Sequence, residues 1–338
     1  MKLTVIGCGR WGSLIAWYLD RIGHEVVLYG RDRSDHMQAF LKTRSNGQVT
    51  LPQSITLSTN LWDACHRAEL LLLSVPSQKL RAFLAELRSV SERNPGIVLC
   101  MKGLEAESGK RLSEIAGEEL PVKTPIAVWL GPGHVQQFLS GVPNCMVIDS
   151  KDGAFSQSLV TRFSGDLIRF YCGQDLLGNE IGAATKNVIG IAAGMLDGLG
   201  LSPLKGALMS RGTHEISELI ENMGGNPFSA YGLCHLGDYE ATVFSPYSHN
   251  RQFGESFVLG KPYGELAEGY ATAAALQILK QRYGAELPIC CAVYRILYEH
   301  ADPREELNQL FRRQLKREWG GTLASDLTQN GAKGNGGE

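Results

Sequence analysis

The amino-acid sequence predicts an α/β chain, in which an open parallel sheet with helices on both faces is followed by an all-helical C-terminal domain. Three observations support this fold class. Short, fully apolar runs alternate with helical stretches in the first half of the chain, which is typical of parallel strands buried on both faces. Glycines fill the first turn between a strand-like and a helix-like segment. After about Gly173 the strand signal ends, and Gly/Ala-rich helical segments follow.

The predicted elements follow one another as short strands and amphipathic helices. The first strand, Lys2–Gly7, leads into a helix, and the strand Glu25–Tyr29 then closes a βαβ unit. The apolar face of this helix comprises Trp11, Leu14, Ile15, Tyr18 and Leu19. The later strand-like runs are Leu70–Val75, Ile97–Met101, Ile126–Leu130, Cys145–Ile148 and Leu167–Tyr171, with a helix expected over Gln78–Val90. The helices expected in the second domain are Asn179–Leu196, Leu204–Met223, Glu265–Tyr283 and Pro288–Glu299.

The length of the chain indicates more than one domain. At 338 residues it is longer than one hydrophobic core usually serves, since domains cluster at roughly 100–150 residues. We therefore expect a sheet domain over residues 1–173 and a helical domain over residues 174–319. Residues 320–338 are rich in Gly, Asn, Ser and Thr and contain little to bury, so we expect a disordered tail there.

Composition excludes several classes of partner. A net charge of −2 provides no global field for nucleic acid or anionic lipid. No apolar run approaches the roughly 18 residues that cross a bilayer, and no signal-peptide pattern precedes the first strand; we expect a cytoplasmic protein without a membrane span. The eight cysteines show no CxxC or Cys/His metal spacing, so we interpret them as reduced core residues and expect no metal.

A glycine-rich turn indicates the cofactor class. Gly7-Cys8-Gly9-Arg10-Trp11-Gly12 matches GxGxxG between the strand and helix of the βαβ unit, the context in which this otherwise weak pattern indicates dinucleotide binding. The glycines permit the tight turn, the approach of backbone to a pyrophosphate, and the packing of helix on strand. The phosphates would then lie at a helix N-terminus. We expect a Rossmann-type domain that binds NADP(H) or NAD(H).

The end of the second predicted strand bears on the choice between these two cofactors. It reads Tyr29-Gly30-Arg31-Asp32-Arg33, where an NAD-selective site usually has Asp or Glu. Arg31 can stack on adenine and pair with a 2′-phosphate, which favours NADP(H). Asp32 keeps NAD(H) as an alternative.

A lysine lies inside the most apolar predicted helix. Nearly every side of the helix is apolar from Leu177 to Met195, so we expect it to be buried. Lys186 shares a face with Asn179, Ala183 and Gly190, small or polar neighbours that would leave room for a ligand. Burial lowers a lysine pKa toward neutrality, where the amine can exchange a proton with a substrate hydroxyl or carbonyl. The alternative is a structural ion pair with a buried carboxylate.

Several motifs along the chain, taken together, carry a family resemblance. They are Gly7–Gly12, Ser74-Val-Pro-Ser77, Met101-Lys102-Gly103-Leu-Glu105, Gly131-Pro132, the run Gly182–Gly194 around Lys186, Asp197-Gly198-Leu-Gly200, Ser210-Arg211-Gly212, Gly237-Asp238 and Ser248-His-Asn250-Arg251-Gln-Phe-Gly254. From Gly7 to about Glu299 the chain resembles the bacterial NAD(P)-dependent glycerol-3-phosphate dehydrogenases. The resemblance implies reversible hydride transfer between NAD(P)H and dihydroxyacetone phosphate, giving sn-glycerol 3-phosphate for phospholipid synthesis. It also implies an all-helical C-terminal domain and a homodimer.

The same resemblance implies roles for individual residues. Lys186 would be the general acid/base, Asp238 would orient the substrate hydroxyls, and Lys102 would contact both substrate and nicotinamide. Ser248, Asn250 and Arg251 would belong to a phosphate and cofactor loop. The implied substrate contacts are Lys102, Gly131, Gly133, Lys186, Asp238, Ser248, His249 and Asn250. The implied cofactor contacts are Gly7, Gly9, Arg10, Trp11, Gly12, Arg31, Lys102, Val135, Arg251 and Glu268.

The sequence departs from the family pattern at two places. The family usually has a hydroxyl residue and an aromatic after Gly-Pro, whereas this chain has Gly133 and His134. It usually has Ser-Arg-Asn where this chain has His249 in the middle, which replaces a permanent charge by one that titrates near neutrality. We expect that Arg251 compensates, that the enzyme binds phosphate weakly, or that it accepts a different small hydroxy compound. If His249 lies beside the substrate phosphate, binding should tighten as the pH falls and its imidazole protonates.

Two other functions stay open. A reductase of another small hydroxy or keto compound, such as ketopantoate, could use the same two-domain plan, although Lys102, Asp238 and the segment Ser248–Arg251 favour a phosphorylated triose. A non-catalytic NADPH-binding sensor is the second alternative, which Gly133 and His249 leave open.

Overall fold

The first half of the protein is built on one eight-stranded sheet. A computed structural model describes residues 1–90, 94–315 and 318, so the predicted tail at 320–338 lies outside the described residues. The strands are β1 (Lys2–Ile6), β2 (Glu25–Tyr29), β3 (Thr56–Ser58), β4 (Leu70–Leu73), β5 (Gly96–Leu99), β6 (Ile126–Leu130), β7 (Asn144–Ser150) and β8 (Ile168–Cys172). Their order in the sheet is β3-β2-β1-β4-β5-β6-β7-β8. The short edge strand β3 is the one that the apolar pattern did not predict, because it offers only three residues and none of them is fully buried.

The sheet is parallel only as far as β6. Strand β7 pairs antiparallel to β6, with Val128 opposite Asp149, and β8 then runs parallel to β7. The expectation of an entirely parallel sheet was therefore wrong at this edge. The connection between β6 and β7 contains only one five-residue helix, Val135–Leu139, which is too short to return the chain along the sheet as the helix of a parallel crossover usually does.

Helices cover both faces of the sheet, as its apolar strands require. They are α1 (Arg10–Arg21), α2 (Asp35–Thr43), α3 (Leu61–Cys65), α4 (Leu80–Val90), α5 (Leu112–Glu119), α6 (Val135–Leu139) and α7 (Gly153–Phe163). One hydrophobic cluster joins α1, α6 and α7 to one face, around Trp129 and Phe163. A second joins α3, α4 and α5 to the other face, around Leu71 and Leu73. The predicted doubly wound fold class is confirmed.

The second half of the chain is helical and surrounds one long helix. Its helices are α8 (Leu176–Gly198), α9 (Lys205–Asn222), α10 (His249–Val258), α11 (Glu268–Tyr283), α12 (Pro288–Tyr298) and α13 (Pro303–Phe311). Helix α8 is 23 residues long and packs against α9, α10, α11 and α12. Its residues 180–196 are buried without interruption, because the neighbouring helices enclose it on every side. The division at residue 173 stays a prediction.

The cysteines are not all core residues. All eight are free thiols, and six are buried, but Cys145 is half-buried and Cys172 is exposed. Cys172 ends β8, which is an edge strand whose alternate side chains face solvent. Among the described residues, no group of His, Cys, Asp or Glu side chains is arranged to hold a metal ion. No helix in the described part of the chain is long and apolar enough to cross a membrane.

Candidate active site

The centre of the site is a buried group of two lysines and one aspartate. Lys186 lies on α8, Asp238 ends the 3-10 turn Leu236–Asp238, and Lys102 lies three residues beyond β5. The Nζ atoms of Lys186 and Lys102 are 3.1 Å and 2.5 Å from the same Asp238 oxygen, Oδ2. Lys102 Nζ also donates to the Gly131 carbonyl, 2.6 Å away at the end of β6. Three residues expected to act together are thus brought together from three separate elements.

Burial controls the proton affinity of the catalytic candidate. Lys186 is 8% exposed and Asp238 is 1% exposed. Desolvation lowers the pKa of Lys186 to about 8; Asp238 opposes this lowering, and the positive charge of Lys102 adds to it. The predicted buried lysine with a lowered pKa is confirmed. The alternative of an ion pair with a buried carboxylate also holds, but Asp238 is shared with a second lysine.

Thr242 orients Lys186, and sequence analysis did not find it. Its hydroxyl donates to the Asp238 carbonyl at 2.7 Å, so the oxygen lone pairs can accept from Lys186 Nζ at 2.6 Å. Thr242 lies in a short π-helix, Glu240–Phe244, a conformation that is rare and occurs mostly at functional sites. The segment has no helical hydrophobic period, and its importance follows only from the contact with Lys186.

The small residues beside Lys186 serve helix packing. A Cβ atom at Gly190 would lie 2.6 Å from the Thr242 methyl carbon and 3.4 Å from Asn250 Cβ. One turn later, a Cβ atom at Gly194 would lie 1.8 Å from the Arg251 carbonyl oxygen. The expectation that Gly190 leaves room for a ligand was therefore wrong, since α10 and the π-helix fill that space.

The glycine turn before α1 forms a cradle that fits a dinucleotide. Gly7 has φ +108°, and a Cβ atom there would lie 2.2 Å from the Ser74 carbonyl oxygen; one at Gly12 would lie 1.9 Å from the Gly7 carbonyl oxygen. These two glycines bring β1, β4 and α1 together. A Cβ at Gly9 would meet no atom within 4 Å, so the N-terminus of α1 faces open space. The first turn of α1 contains no acidic residue that would compete with an anion.

Other predicted cofactor residues lie around this cradle. The Trp11 ring packs on Phe138 of α6 at 6.2 Å between centroids, and Val135 begins α6 as a buried residue. The Glu268 carboxylate accepts from the Ser77 backbone N–H at 3.0 Å and from the Ser77 hydroxyl, which ties the loop after β4 to α11. The Arg31 side chain is 69% exposed and 3.4 Å from Glu86. Each of these cofactor contacts stays a prediction.

The segment Ser248–Arg251 forms the start of α10, with Ser248 as its N-cap, and is not the loop that we expected. The Ser248 side chain accepts from the Arg251 backbone N–H and caps α10, which is the usual position of serine at a helix start. Asn250 connects three helices, because its amide donates to Asn187 Oδ1 at 3.1 Å and its oxygen accepts from the Gly269 N–H at 2.9 Å. Ser248 and Asn250 as substrate contacts stay predictions.

His249 holds an arginine from the other half of the chain. Arg10 Nη1 donates to His249 Nε2, and His249 Nδ1 is 2.7 Å from the Tyr263 hydroxyl. An arginine can only donate, so Nε2 is an acceptor and the ring is neutral. Burial and the charge of Arg10 lower the His249 pKa, with Glu265 opposing them. This direction is opposite to the one that we expected for a phosphate-binding imidazolium.

The Arg251 side chain forms ion pairs with carboxylates other than Asp238. Its Nη1 is 2.7 Å from Asp197 Oδ2 and 3.2 Å from Glu255 Oε2, and its Nε donates to the Ser245 carbonyl. Asp197 also binds Lys205 Nζ at 2.5 Å. The structure therefore does not bring this guanidinium to the group around Lys186. Arg251 as a cofactor contact stays a prediction.

Comparison with known proteins decides the family. Residues 2–156 match the model described as NAD-dependent glycerol-3-phosphate dehydrogenase N-terminus, and residues 175–308 match the corresponding C-terminus model. The chain belongs to the NAD-dependent glycerol-3-phosphate dehydrogenase family. The glycerol-3-phosphate dehydrogenase (NAD(P)+) of Chlorobium phaeobacteroides strain BS1 is 35% identical over 334 residues, 95% of this chain and 100% of that protein. The predicted family resemblance is confirmed.

Solved structures extend the comparison to the fold. A glycerol-3-phosphate dehydrogenase from Coxiella burnetii superimposes with a TM-score of 0.86 at 28% identity, covering 92% of this chain and 99% of that one. A ketopantoate reductase from Ralstonia eutropha JMP134 has a TM-score of 0.59 at 14% identity, covering 91% of this chain and 100% of that one. The second likeness concerns the fold alone. The structure of this member of the glycerol-3-phosphate dehydrogenase family must therefore be interpreted from its own site residues.

Proposed function

We propose that the protein interconverts dihydroxyacetone phosphate and sn-glycerol 3-phosphate with a nicotinamide dinucleotide. The observation that carries this proposal is the buried Lys186, with a pKa of about 8, sharing Asp238 with Lys102. Both lysines lie close to the carboxyl ends of β5 and β6, where open α/β sheets bind their ligands. The family membership of the chain supports the same reaction.

Lys186 acts as the proton donor in the reductive direction. Of its three N–H donors, Thr242 and Asp238 take two, which leaves one, within the described residues, for the substrate carbonyl oxygen. A pKa of about 8 keeps most of the amine protonated at neutral pH and makes it a stronger acid than an exposed lysine. In the oxidative direction the neutral amine accepts the proton of the substrate hydroxyl.

Asp238 and Lys102 hold this proton donor in place. One carboxylate oxygen anchors both lysines, and the Gly131 carbonyl fixes Lys102 from the side of the sheet. With both lysines protonated the group carries one positive charge in excess, beside the buried side chains of Lys186 and Asp238. This charge stabilises the negative charge that develops on the carbonyl oxygen.

Arg10 supplies the permanent charge for the substrate phosphate. It lies at the N-terminus of α1 and contacts His249 at the N-terminus of α10, so two helix ends and one guanidinium meet there. Its Nε atom is buried and has no hydrogen-bond partner in the described part of the chain. The family pattern usually has arginine where this chain has His249. We infer that Arg10 carries that charge from the opposite domain and that His249 holds it in place.

The glycine cradle, together with Trp11, Val135 and Glu268, would hold the cofactor. When bound, it supplies or accepts the hydride. Arg31 stands at the carboxyl end of β2 with an exposed guanidinium, where it can pair with the 2′-phosphate of NADP(H). NADP(H) is therefore the preferred cofactor, and NAD(H) is also accepted.

The experiment that tests this function compares substrates. Oxidation of NADPH and NADH is followed with dihydroxyacetone phosphate, ketopantoate and other 2-keto acids at matched concentrations. We expect kcat/KM for dihydroxyacetone phosphate to exceed that for ketopantoate by at least about 100-fold, because a site built for charged and polar groups rejects a substrate that leaves them unpaired. Turnover of ketopantoate alone would favour the related reductase, and cofactor binding without any turnover would favour the sensor.

Three further properties follow from the family and not from the geometry. We propose that the enzyme is a homodimer in the cytoplasm and that its product enters phospholipid synthesis. Sedimentation equilibrium tests the first of these, and a monomer at micromolar concentration would contradict it.

A further inference from the structure

His134 is a half-buried histidine that the proposed mechanism has not used. It follows Gly131 and Pro132 at the end of β6 and occupies the N-cap position of α6 without using its side chain to cap the helix. Its Nε2 atom is buried and has no hydrogen-bond partner among residues 1–90, 94–315 and 318. Buried polar atoms in folded proteins nearly always have a partner, so this atom indicates a missing ligand.

Position 133, where the family usually has a hydroxyl residue, has room only for glycine in this protein. The φ angle of Gly133 is +145°, and a Cβ atom there would lie 2.3 Å from Cε2 of the buried Phe138. Phe138 is held in turn by the Trp11 ring of the cofactor cradle. The hydroxyl residue that the family usually has at this position therefore does not fit. His134 is the nearest side chain that can replace it.

The surroundings of His134 determine which form of the ring is present. The backbone of Ala241, in the π-helix that also positions Thr242, raises the His134 pKa. A backbone group that does so stabilises the proton on the ring, as a carbonyl oxygen does. Since Nε2 has no partner, we place that proton on Nδ1. The Tyr247 ring lies edge-on at 5.8 Å between centroids. Burial and the charges of Lys186 and Lys102 lower the His134 pKa, while Asp238 and the Ala241 backbone oppose them. The ring is neutral, and Nε2 presents a lone pair.

An acceptor at this place selects one group of the substrate. The carbonyl and ionised phosphate of dihydroxyacetone phosphate can only accept hydrogen bonds, and its hydroxymethyl group carries the single donor. Lys186 must meet the carbonyl oxygen. We propose that His134 Nε2 accepts a hydrogen bond from this non-reacting hydroxyl group, which makes His134 a substrate-binding and specificity-determining residue. The inference rests on the proposed function, since it requires the triose phosphate as substrate.

The test removes the hydroxyl group from the substrate and the acceptor from the enzyme. Acetol phosphate is dihydroxyacetone phosphate with a methyl group in place of the hydroxymethyl group. Wild-type enzyme should prefer dihydroxyacetone phosphate in kcat/KM by roughly 10- to 100-fold, because acetol phosphate leaves Nε2 unpaired. His134→Phe keeps an aromatic ring without the acceptor, and its preference should fall to near unity. His134→Gln retains an acceptor oxygen and should keep part of the preference.

Two controls separate binding from structure. His24→Phe removes a half-buried histidine near Arg162 and should leave the substrate preference unchanged. In enzyme with ¹⁵N-labelled histidine, the Nε2 signal of His134 is identified by its absence from the spectrum of His134→Phe. This signal should shift when dihydroxyacetone phosphate is added, and it should not shift when acetol phosphate is added. This signal reports binding and does not depend on turnover.

The possible outcomes are distinct. An equal loss of activity of His134→Phe on both substrates, or an unchanged preference, would show that His134 is structural and would overturn the inference while leaving the proposed function intact. Wild-type enzyme that neither reduces dihydroxyacetone phosphate nor shifts the Nε2 signal would overturn both.

Discussion

The two positively charged centres of the site differ in how their charges are held. At the inner centre, the amines of Lys186 and Lys102 share one buried carboxylate, and burial lowers the pKa of Lys186 to about 8. At the outer centre, the guanidinium of Arg10 contacts a neutral His249. An ammonium group changes its charge readily when it is desolvated, whereas a guanidinium does not. The inner centre is thus suited to transferring a proton and the outer one to binding an anion.

Removal of the inner amine should have the largest effect. Lys186→Met should lower kcat by at least about 100-fold, the lower end of the range for general acid/base catalysis, and should spare binding of NADPH. Asp238 keeps Lys102 as its partner in this variant, so the fold should persist. Steady-state kinetics and fluorescence titration of NADPH measure the two quantities.

Lys205→Met is the matched control for this change. Lys205 is the other buried lysine in the described part of the helical half, and it pairs with Asp197 at 2.5 Å. Its replacement should lower Tm and leave kcat nearly unchanged. Near-normal activity of folded Lys186→Met would remove Lys186 from the catalytic role.

The pH dependence of the reaction should report the inner amine. Reduction needs protonated Lys186, so kcat should be constant at low pH and fall through a pKa of about 8 as the pH rises. Each further pH unit lowers the protonated fraction, and hence the rate, about tenfold. Oxidation needs the neutral amine and should show the opposite profile.

Asp238→Asn sharpens this test. Asp238 raises the Lys186 pKa, so its loss should move both inflections to lower pH as well as slow the reaction. Inflections that stay in place would mean that another group titrates.

Removal of the outer guanidinium should act on binding. Arg10→Leu should raise KM for dihydroxyacetone phosphate roughly 10- to 100-fold, as expected for a lost hydrogen bond to a charged group, with a smaller change in kcat. Arg251→Leu should leave this KM unchanged and lower Tm, because it removes a partner of Asp197. A rise confined to the KM for NADPH would assign Arg10 to the cofactor pyrophosphate instead.

Arg31 should show the smallest effect, because its side chain is the most exposed of these. Arg31→Asp should weaken NADPH about tenfold more than NADH, through one charged contact that solvent partly screens. Arg33→Asp changes the charge by the same amount in the same exposed loop and should discriminate less. Equal losses for both cofactors in Arg31→Asp would show that this residue does not bind the 2′-phosphate.

The sequence by itself determined the features that depend on neighbouring residues. Hydrophobic periods distinguish strands from helices, and the glycine spacing between β1 and α1 indicates a dinucleotide-binding turn. The burial of Lys186 could be predicted because α8 is apolar nearly all round, and burial of such a residue has a known effect on its pKa. These predictions needed no information about which distant segments meet.

Only the tertiary structure decided which charges share a site. Lys102, Lys186 and Asp238 are separated by tens of residues along the chain, and Arg10 and His249 by 239 positions. No periodicity relates such residues. Packing between elements likewise decides three further features. These are the antiparallel direction of β7, the filled space beside Gly190, and the ion pair between Arg251 and Asp197. Hydrogen bonds and ion pairs act over a few ångströms, so their partners are known only once the chain has brought them together.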